Sequence, residues 1–236
     1  MRIDRENADE LLCTTRAVRK RLDLSRPVPR ELIVECIGIS QQAPTASNSQ
    51  GWRWIIVTEP ARKKALAEIY HAIAGSYFPP EIEKLRAEGD TQTERVYSAA
   101  AYLTEHLHEV PAIVIPCLLG RPPLDSLLTN ASFFASIYPA VWSFNLALRA
   151  RGLGTVLTTF HLAHESAAAK VLGIPEGVTQ AALLPVAYTI GEDFARAARP
   201  APEAITVFEQ WDNDASTTPT ELRLRRDHDT NTERLG

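Results

Sequence analysis

The sequence predicts an α+β fold in one compact domain, and three observations support this prediction. The chain has 236 residues, of which 45% are hydrophobic, so it can bury one sizeable core. Apolar segments with helical spacing and short runs of strand-forming residues follow each other in a mixed order, unlike a strict βαβ series. Residues 212–236 are polar and almost free of large apolar side chains. We therefore expect a domain over 1–211 and a polar C-terminal tail or arm over 212–236.

The first half of the domain is predicted to contain helices around one strand. Apolar residues recur at helical spacing over 29–43, and Pro44 prevents continuation of that helix. Residues 53–58, Arg-Trp-Ile-Ile-Val-Thr, are rich in strand formers. Pro60 begins a second helix, which we expect to end near Ala74 because Gly-Ser-Tyr-Phe-Pro-Pro follows. The charged stretch 80–109 predicts two exposed helices within a helical lid or insertion over 76–109.

The second half is predicted to bury two further strands. Residues 111–116, Pro-Ala-Ile-Val-Ile-Pro, indicate a buried strand. Residues 129–150 are apolar on more than one helical face, which predicts one long helix in the centre of the fold or at a dimer interface. An extended segment over 155–160 follows, then a helix over 164–172 that ends at Gly173. Residues 181–191 predict a last strand with a proline interruption.

Composition excludes several classes of function. The formal net charge of −4 and the pI near 5.9 argue against a nucleic-acid partner, which requires a clustered cationic face. The N-terminus shows no signal peptide, and we find no run near the roughly 18 apolar residues of a membrane span. The three cysteines are widely separated, as in a reduced cytoplasmic protein. The expected partner is a small molecule or another protein.

Two segments carry the residues best suited to bind a ligand. Arg16 and Arg19 stand three residues apart and can converge on one anion, since guanidinium groups match phosphate and carboxylate geometry. The alternative is a solvated basic face. In the loop 43–52, small residues allow close backbone approach, and the amides of Asn48 and Gln50 suit the edge of a planar heterocycle. The alternative there is a polar turn between a helix and a strand.

Three motifs occur in a fixed order along the chain. They are Arg-Ala-Val-Arg at 16–19, Ala-Pro-Thr-Ala-Ser-Asn-Ser-Gln-Gly-Trp at 43–52, and Gly-Leu-Gly-Thr at 152–155 after an apolar helix. Together they resemble the nitroreductase family of FMN proteins, over residues 14 to about 211. The resemblance implies a three-layer α/β/α sandwich around a mixed, largely antiparallel sheet, with a long central helix at a dimer interface. It also implies a homodimer with FMN at the subunit interface and NADPH or NADH as electron donor.

The resemblance also implies which residues contact FMN. The N-terminal segment would line the ribityl-phosphate and pyrimidine end, and the loop 43–52 would reach the flavin of the other subunit. A third segment would place its backbone at the flavin N5 edge, and two C-terminal arginines would hold the phosphate. In that order the expected contacts are Arg16, Ala17, Arg19; Thr45, Ala46, Asn48; Leu157, Thr158, Thr159; and Arg196, Arg199.

The chain departs from the family's pattern at several of these positions. Thr15 stands where many members have an arginine, and Ala17 where a serine is common, so phosphate contacts are expected to rest on Arg16, Arg19 and Arg199. Gly51 replaces a common proline. Residues 159–161, Thr-Phe-His, replace the more familiar sequence near N5. No catalytic residue is assigned.

The expected reaction passes a hydride from NAD(P)H through flavin N5 to a nitroaromatic, quinone or activated alkene, with ping-pong kinetics. One alternative is another flavin reaction on the same fold, reductive dehalogenation or flavin fragmentation, with the substrate selected by the lid. A second is a non-enzymatic flavin-binding or regulatory protein. A metal site is not expected, because His161, His164 and Glu165 lack a third ligand at recognisable spacing.

Overall fold

The computed structural model describes residues 4–123 and 125–211, so the predicted tail over 212–236 lies outside the described residues. The chain divides into two compact units, the first ending at Phe194 and the second beginning at Ala195. The second contains a short 3₁₀ helix, Pro202–Ile205. The predicted domain boundary at 211 stays a prediction.

The first unit contains helices and strands in a mixed order, as predicted. Two short 3₁₀ helices, Ala46–Asn48 and Phe160–His164, interrupt the loops. In chain order the regular elements are α1 Arg5–Thr14, α2 Arg30–Ser40, β1 Trp52–Val57, α3 Pro60–Glu88, α4 Thr91–His106, β2 Ala112–Leu119, α5 Leu127–Ala135, α6 Tyr138–Arg149, β3 Leu153–Gly154, α7 Glu165–Leu172, β4 Val178–Gln180 and β5 Leu184–Tyr188.

The strands form one open sheet in which β2 is central. The order is β1-β2-β5-β3, with β4 also paired to β2, and all of these pairs are antiparallel. An isolated parallel bridge joins Ala17 to Thr155. Pro185 lies within β5 opposite Ile113, so the predicted proline interruption does not end the strand. The prediction of a mixed, largely antiparallel sheet is therefore confirmed.

Helices cover both faces of the sheet. The side chains of β2 point alternately into two apolar clusters, one on each face. Ile113, Ile115 and Cys117 belong to one cluster, and Ala112, Val114 and Leu118 belong to the other. The first cluster is completed by α3, α4 and α7, and the second by α2 and α6. The result is the predicted three-layer arrangement of helices, sheet and helices.

The prediction that a helix ends near Ala74 is wrong. Helix α3 is continuous over 29 residues and includes Pro79 and Pro80. A proline within a helix costs about 3 kcal/mol, because it removes a backbone donor and its ring crowds the preceding turn. Burial of Phe78 before the prolines and of Leu85 after them holds both halves in one direction. Tertiary packing thus overrides the local signal.

The prediction of exposed helices over 80–109 is also only partly correct. Helix α4 exists, and its Asp90 side chain caps the first turn by accepting the Thr93 N–H at 3.0 Å. However, α4 packs along α3 and buries Ala100, Leu103 and Thr104. This region is part of one helical layer of the domain, and its charged residues form the outer face of that layer.

The long helix predicted over 129–150 is two helices. Helix α5 ends at Ala135 and α6 begins at Tyr138, with Ile137 at φ −119° between them. Pro139 explains the break, because it has no N–H to bond the Ala135 carbonyl and its ring would collide with that carbonyl. The N–H groups of Ser136 and Ile137 instead bond the carbonyls three residues earlier, at 3.1 Å each.

The combined stretch Leu127–Arg149 has a mean hydropathy of 1.2 and 23 residues, so by length and composition it could cross a membrane. The core helices of soluble proteins meet the same criterion, and 44% of this stretch is buried within the fold. Four of its apolar side chains are exposed, and we refer to them together as the α5–α6 face: Leu127, Leu128, Tyr138 and Trp142.

Candidate functional site

The segment after α1 lies against the segment that follows β3. Ala17 and Thr155 form the parallel bridge, and the Val18 N–H donates to the Thr155 carbonyl at 2.9 Å. Gly154 permits this approach, because a Cβ there would lie 3.0 Å from Val18 Cβ and 2.7 Å from Thr189 Cγ2. Val18 is buried while Ala17 faces outward. The structure therefore places the first predicted contact segment beside Thr155, two residues before the third, Leu157 to Thr159.

Two cationic side chains stand at this junction without a counter-ion. Arg16 and Arg19 are both half-buried, and neither forms an ion pair within 4–123 and 125–211. Burial lowers the pKa of Arg19, and interaction with Tyr70 raises it by a smaller amount. Partly desolvated charges are costly unless an anion neutralises them. This pair is therefore suited to bind an anionic ligand.

The segment Leu157 to Thr159 presents a rigid edge beside these arginines. The Thr158 N–H donates to the Leu183 carbonyl at 3.1 Å, and the Leu183 N–H donates to the Thr158 carbonyl at 2.8 Å. Thr158 Oγ1 lies 2.9 Å from the Tyr70 hydroxyl. Leu157 and Thr159 point to the exposed side. A nearby hydroxyl, Thr155 Oγ1, is buried and has no hydrogen-bond partner among the described atoms.

The loop with Thr45, Ala46 and Asn48 is held against the junction of α5 and α6. The Ala46 N–H donates to Ser136 Oγ at 3.0 Å, and Trp52 Nε1 donates to the Ser136 carbonyl at 2.6 Å. Trp52 therefore anchors the loop to Ser136. These bonds orient the loop toward the α5–α6 side, and none of them joins it to the Arg16–Arg19 segment.

The loop itself has an unusual backbone. Ser47, Asn48 and Gln50 have φ values of 52°, 54° and 48°, a conformation that costs energy for residues other than glycine. The Gln50 side chain donates to Asn48 Oδ1 at 2.8 Å, and the Gln50 N–H donates to Thr45 Oγ1 at 3.2 Å. Strained backbone of this kind is typical of ligand-binding loops.

The two C-terminal arginines belong to the second unit. Arg199 Nη1 donates to the Ala198 carbonyl at 3.1 Å. The two units are described separately, so the expected phosphate contacts of Arg196 and Arg199 stay a prediction.

Sequence reasoning did not single out Tyr70, and it considered His161 only as a possible metal ligand and as a departure from the family's pattern near N5. Tyr70 lies on the buried face of α3, where its position among Leu66, Ala67 and Ala74 indicates only a core residue. Its link to Thr158 is not visible in the sequence because 88 residues separate the two. His161 is fully buried, and neither ring nitrogen has a hydrogen-bond partner in the described ranges.

The neighbourhood of His161 does not resemble a metal centre. Glu165 is engaged by Arg121 at 2.7 Å and by the Gln180 N–H at 3.1 Å. Over the part of the chain that the structure describes, no group of three or more His, Cys, Asp or Glu side chains could hold a metal ion.

The sequence also matches a family of known proteins. The model of the Nitroreductase family matches residues 14–188, which include both adjoining segments and the loop. The chain belongs to the nitroreductase family. The predicted resemblance is therefore confirmed, and the nitroreductase-type α+β fold is confirmed with it.

Individual members of the nitroreductase family match over shorter stretches. Nitrobenzene nitroreductase of Ectopseudomonas oleovorans is 37% identical over 76 residues, 31% of this chain and 32% of that protein. Chloronitrobenzene nitroreductase of Comamonas testosteroni is 29% identical over 85 residues, 32% of this chain and 37% of that protein. The matched stretches thus cover about a third of the length of these relatives.

A solved structure extends the similarity to nearly the whole chain. The NADPH:FMN oxidoreductase from Vibrio harveyi, solved in complex with NAD⁺, has a TM-score of 0.66 and 14% sequence identity. The alignment covers 96% of this chain and 85% of that one. At this identity the likeness establishes the fold alone.

Proposed function

We propose that this chain is an FMN-dependent oxidoreductase that takes a hydride from NADPH or NADH. The observation that carries the proposal is the pair of half-buried, unneutralised arginines, Arg16 and Arg19, beside the rigid edge of Leu157 to Thr159. Membership of the nitroreductase family supports it, as do the names of similar proteins, which include nitroreductases and an NADPH:FMN oxidoreductase.

The residues at this junction fit a flavin mononucleotide. Two guanidinium groups match the charge and geometry of a phosphate or of the polar pyrimidine edge. Ala17, small and outward-facing, adds no bulk between these two side chains, and the buried Thr155 hydroxyl nearby has no hydrogen-bond partner among the described atoms. The proposed holding residues in the same subunit are Arg16, Ala17, Arg19, Leu157, Thr158 and Thr159.

Bound FMN would supply the redox chemistry, accepting a hydride at N5 and passing electrons to a nitroaromatic, quinone or activated alkene. The protein's residues would bind the flavin, orient it and stabilise charge that develops on it. Arg19 would stabilise negative charge at the pyrimidine edge, an electrostatic effect that is strong because its guanidinium is partly desolvated. Leu157 and Thr159 would form the edge against which the donor and then the acceptor are placed, as a ping-pong mechanism requires.

The loop contacts require a second copy of the chain. Thr45, Ala46 and Asn48 are fixed on the α5–α6 side, away from the bonds that join Ala17 to Thr155. The exposed apolar α5–α6 face is a suitable homodimer surface, since Leu127 is 86% exposed and Trp142 is 47% exposed in the single chain. In such a dimer these loop residues would reach the FMN of the neighbouring subunit.

The test uses purified full-length protein and added FMN. Arg19→Ala should weaken FMN binding by about tenfold or more, because it removes a charged hydrogen bond worth roughly 1.5–3 kcal/mol. It should also slow flavin reduction by NADPH. Arg62→Ala is the matched control, since among the described residues its ion-pair partner is Glu59, at 2.7 Å, and both side chains are more than half exposed. Unchanged affinity and reduction rate in Arg19→Ala would contradict the assignment.

Assembly provides an independent test. Trp142→Glu should separate the dimer, because it places a charge on the apolar α5–α6 face. The resulting monomer should bind FMN poorly, as measured by light scattering and flavin content on the same column fractions. A monomer that retains full FMN would show that the loop does not contribute to the site.

A further inference from the structure

Tyr70 joins two of the segments to which the proposed function assigns FMN. It extends from α3 and is only 2% exposed, and its ring meets that of Phe160 edge-on at 5.6 Å between centroids. Its hydroxyl lies 2.9 Å from Thr158 Oγ1. It is also close enough to the Arg19 guanidinium for the two groups to interact electrostatically.

The hydroxyl groups of Tyr70 and Thr158 share one hydrogen bond, in which either atom could be the donor. Burial raises the pKa of Tyr70, with smaller opposing effects of Thr158 and Arg19, so the phenol keeps its proton at neutral pH. The protonated phenol can therefore donate to Thr158 Oγ1. When it does, the hydroxyl proton of Thr158 points elsewhere.

The other polar groups of Thr158 are already hydrogen-bonded. Its backbone N–H and C=O are both bonded to Leu183, at 3.1 and 2.8 Å. When Tyr70 donates, the hydroxyl proton of Thr158 is therefore the donor that this residue can present to a ligand on the edge of the 157–159 segment. Without the Tyr70 hydroxyl, Thr158 Oγ1 could rotate its proton inward or toward solvent.

We propose that Tyr70 is a positioning residue, which donates to Thr158 Oγ1 and so orients the Thr158 hydroxyl as a hydrogen-bond donor toward the bound flavin. This inference rests on the proposed function. A donor fixed in this way stabilises the electron-rich reduced flavin more than the oxidised one, because hydrogen bonds to charged acceptors are stronger. Tyr70 would thus shift the balance between the two redox states without touching the flavin.

The experiment measures the affinities of the full chain for oxidised and for reduced FMN. Oxidised FMN is titrated by flavin fluorescence, and the reduced form follows from an anaerobic redox titration against a reference dye. In Tyr70→Phe, affinity for reduced FMN should fall about fivefold more than affinity for oxidised FMN. Thr158→Val should give the same change, and the double variant no further change, because both act through one hydrogen bond. Thr158→Ser should retain the wild-type ratio.

Tyr97→Phe is the matched control. It removes a hydroxyl that contacts the Tyr77 hydroxyl at 3.4 Å, and should leave the ratio unchanged. Equal weakening of both forms in Tyr70→Phe, or an unchanged ratio, would overturn the inference while leaving the proposed function intact. Wild-type protein that binds neither form of FMN would overturn both. If Tyr70→Phe melts at a much lower temperature than wild type, the Thr158 variants decide the question alone.

Discussion

Acidification should destabilise this protein through His161, a fully buried imidazole next to the segment Leu157 to Thr159. Neither of its ring nitrogens has a hydrogen-bond partner within the described residues. Burial lowers its pKa from 6.5 to about 4, and the nearby Glu165 carboxylate opposes this shift only weakly. Glu165 is itself paired with Arg121, which reduces its ability to stabilise a charged imidazole.

The sign and size of the effect follow from the two pKa values. Between about 4 and 6.5 the unfolded chain binds more protons at this site than the folded chain, so stability falls as the pH decreases. The contribution of neutral His161 is fully present above pH 6.5 and is lost as the pH approaches 4. At 1.36 kcal/mol per pKa unit, the complete loss is about 3 kcal/mol.

Urea denaturation of wild type and His161→Leu at about pH 7 and about pH 4.5 measures this contribution. Leucine has a similar volume and cannot be protonated. Other titrating groups affect both proteins, so the difference between them isolates residue 161. The wild type should lose roughly 2.5 kcal/mol more than the variant over this range. Equal losses in the two proteins would refute the reasoning.

Two further predictions concern the supports of the site. Gly154→Ala should destabilise the fold by roughly 1–3 kcal/mol, because its Cβ would lie 2.7 Å from Thr189 Cγ2, whereas Gly38→Ala meets nothing within 4 Å and should not. Thermal unfolding of both variants checks this, and equal melting temperatures would refute it. Ser136→Ala should cost about 1–2 kcal/mol and weaken FMN binding in the dimer, because the Ala46 N–H loses its acceptor. Urea unfolding and FMN titration measure these effects, and an unchanged variant would contradict the role of the loop.

Apolar periodicity predicted most of the helices and strands, but it misplaced the end of α3 and missed the break between α5 and α6. Pro79 and Pro80 are helix breakers by any local rule, yet α3 continues because Phe78 and Leu85 are buried on either side. The opposite error occurred over 129–150, where apolar periodicity concealed the break that Pro139 introduces. In the first case tertiary contacts outweigh a local cost, and in the second a missing N–H outweighs a favourable pattern.

The candidate site was predictable to the extent that it consists of motifs. The residues of the 16–19 and 157–159 segments were named from the family's pattern, and the structure pairs Ala17 with Thr155, two residues before the second segment. Tyr70 could not be named, because a tyrosine on an apolar helical face has the spacing of an ordinary core residue. Its chemistry depends on Thr158 and Arg19, which only the folded chain brings to its hydroxyl.

The central claim is that the chain binds FMN and reduces it with a nicotinamide. The most direct measurement is the visible absorption of the purified protein, reconstituted with FMN and freed of excess by gel filtration, before and after anaerobic addition of NADPH or NADH. We predict a retained flavin band that bleaches with at least one donor. Protein that emerges colourless, or a band that neither donor bleaches, would contradict the account.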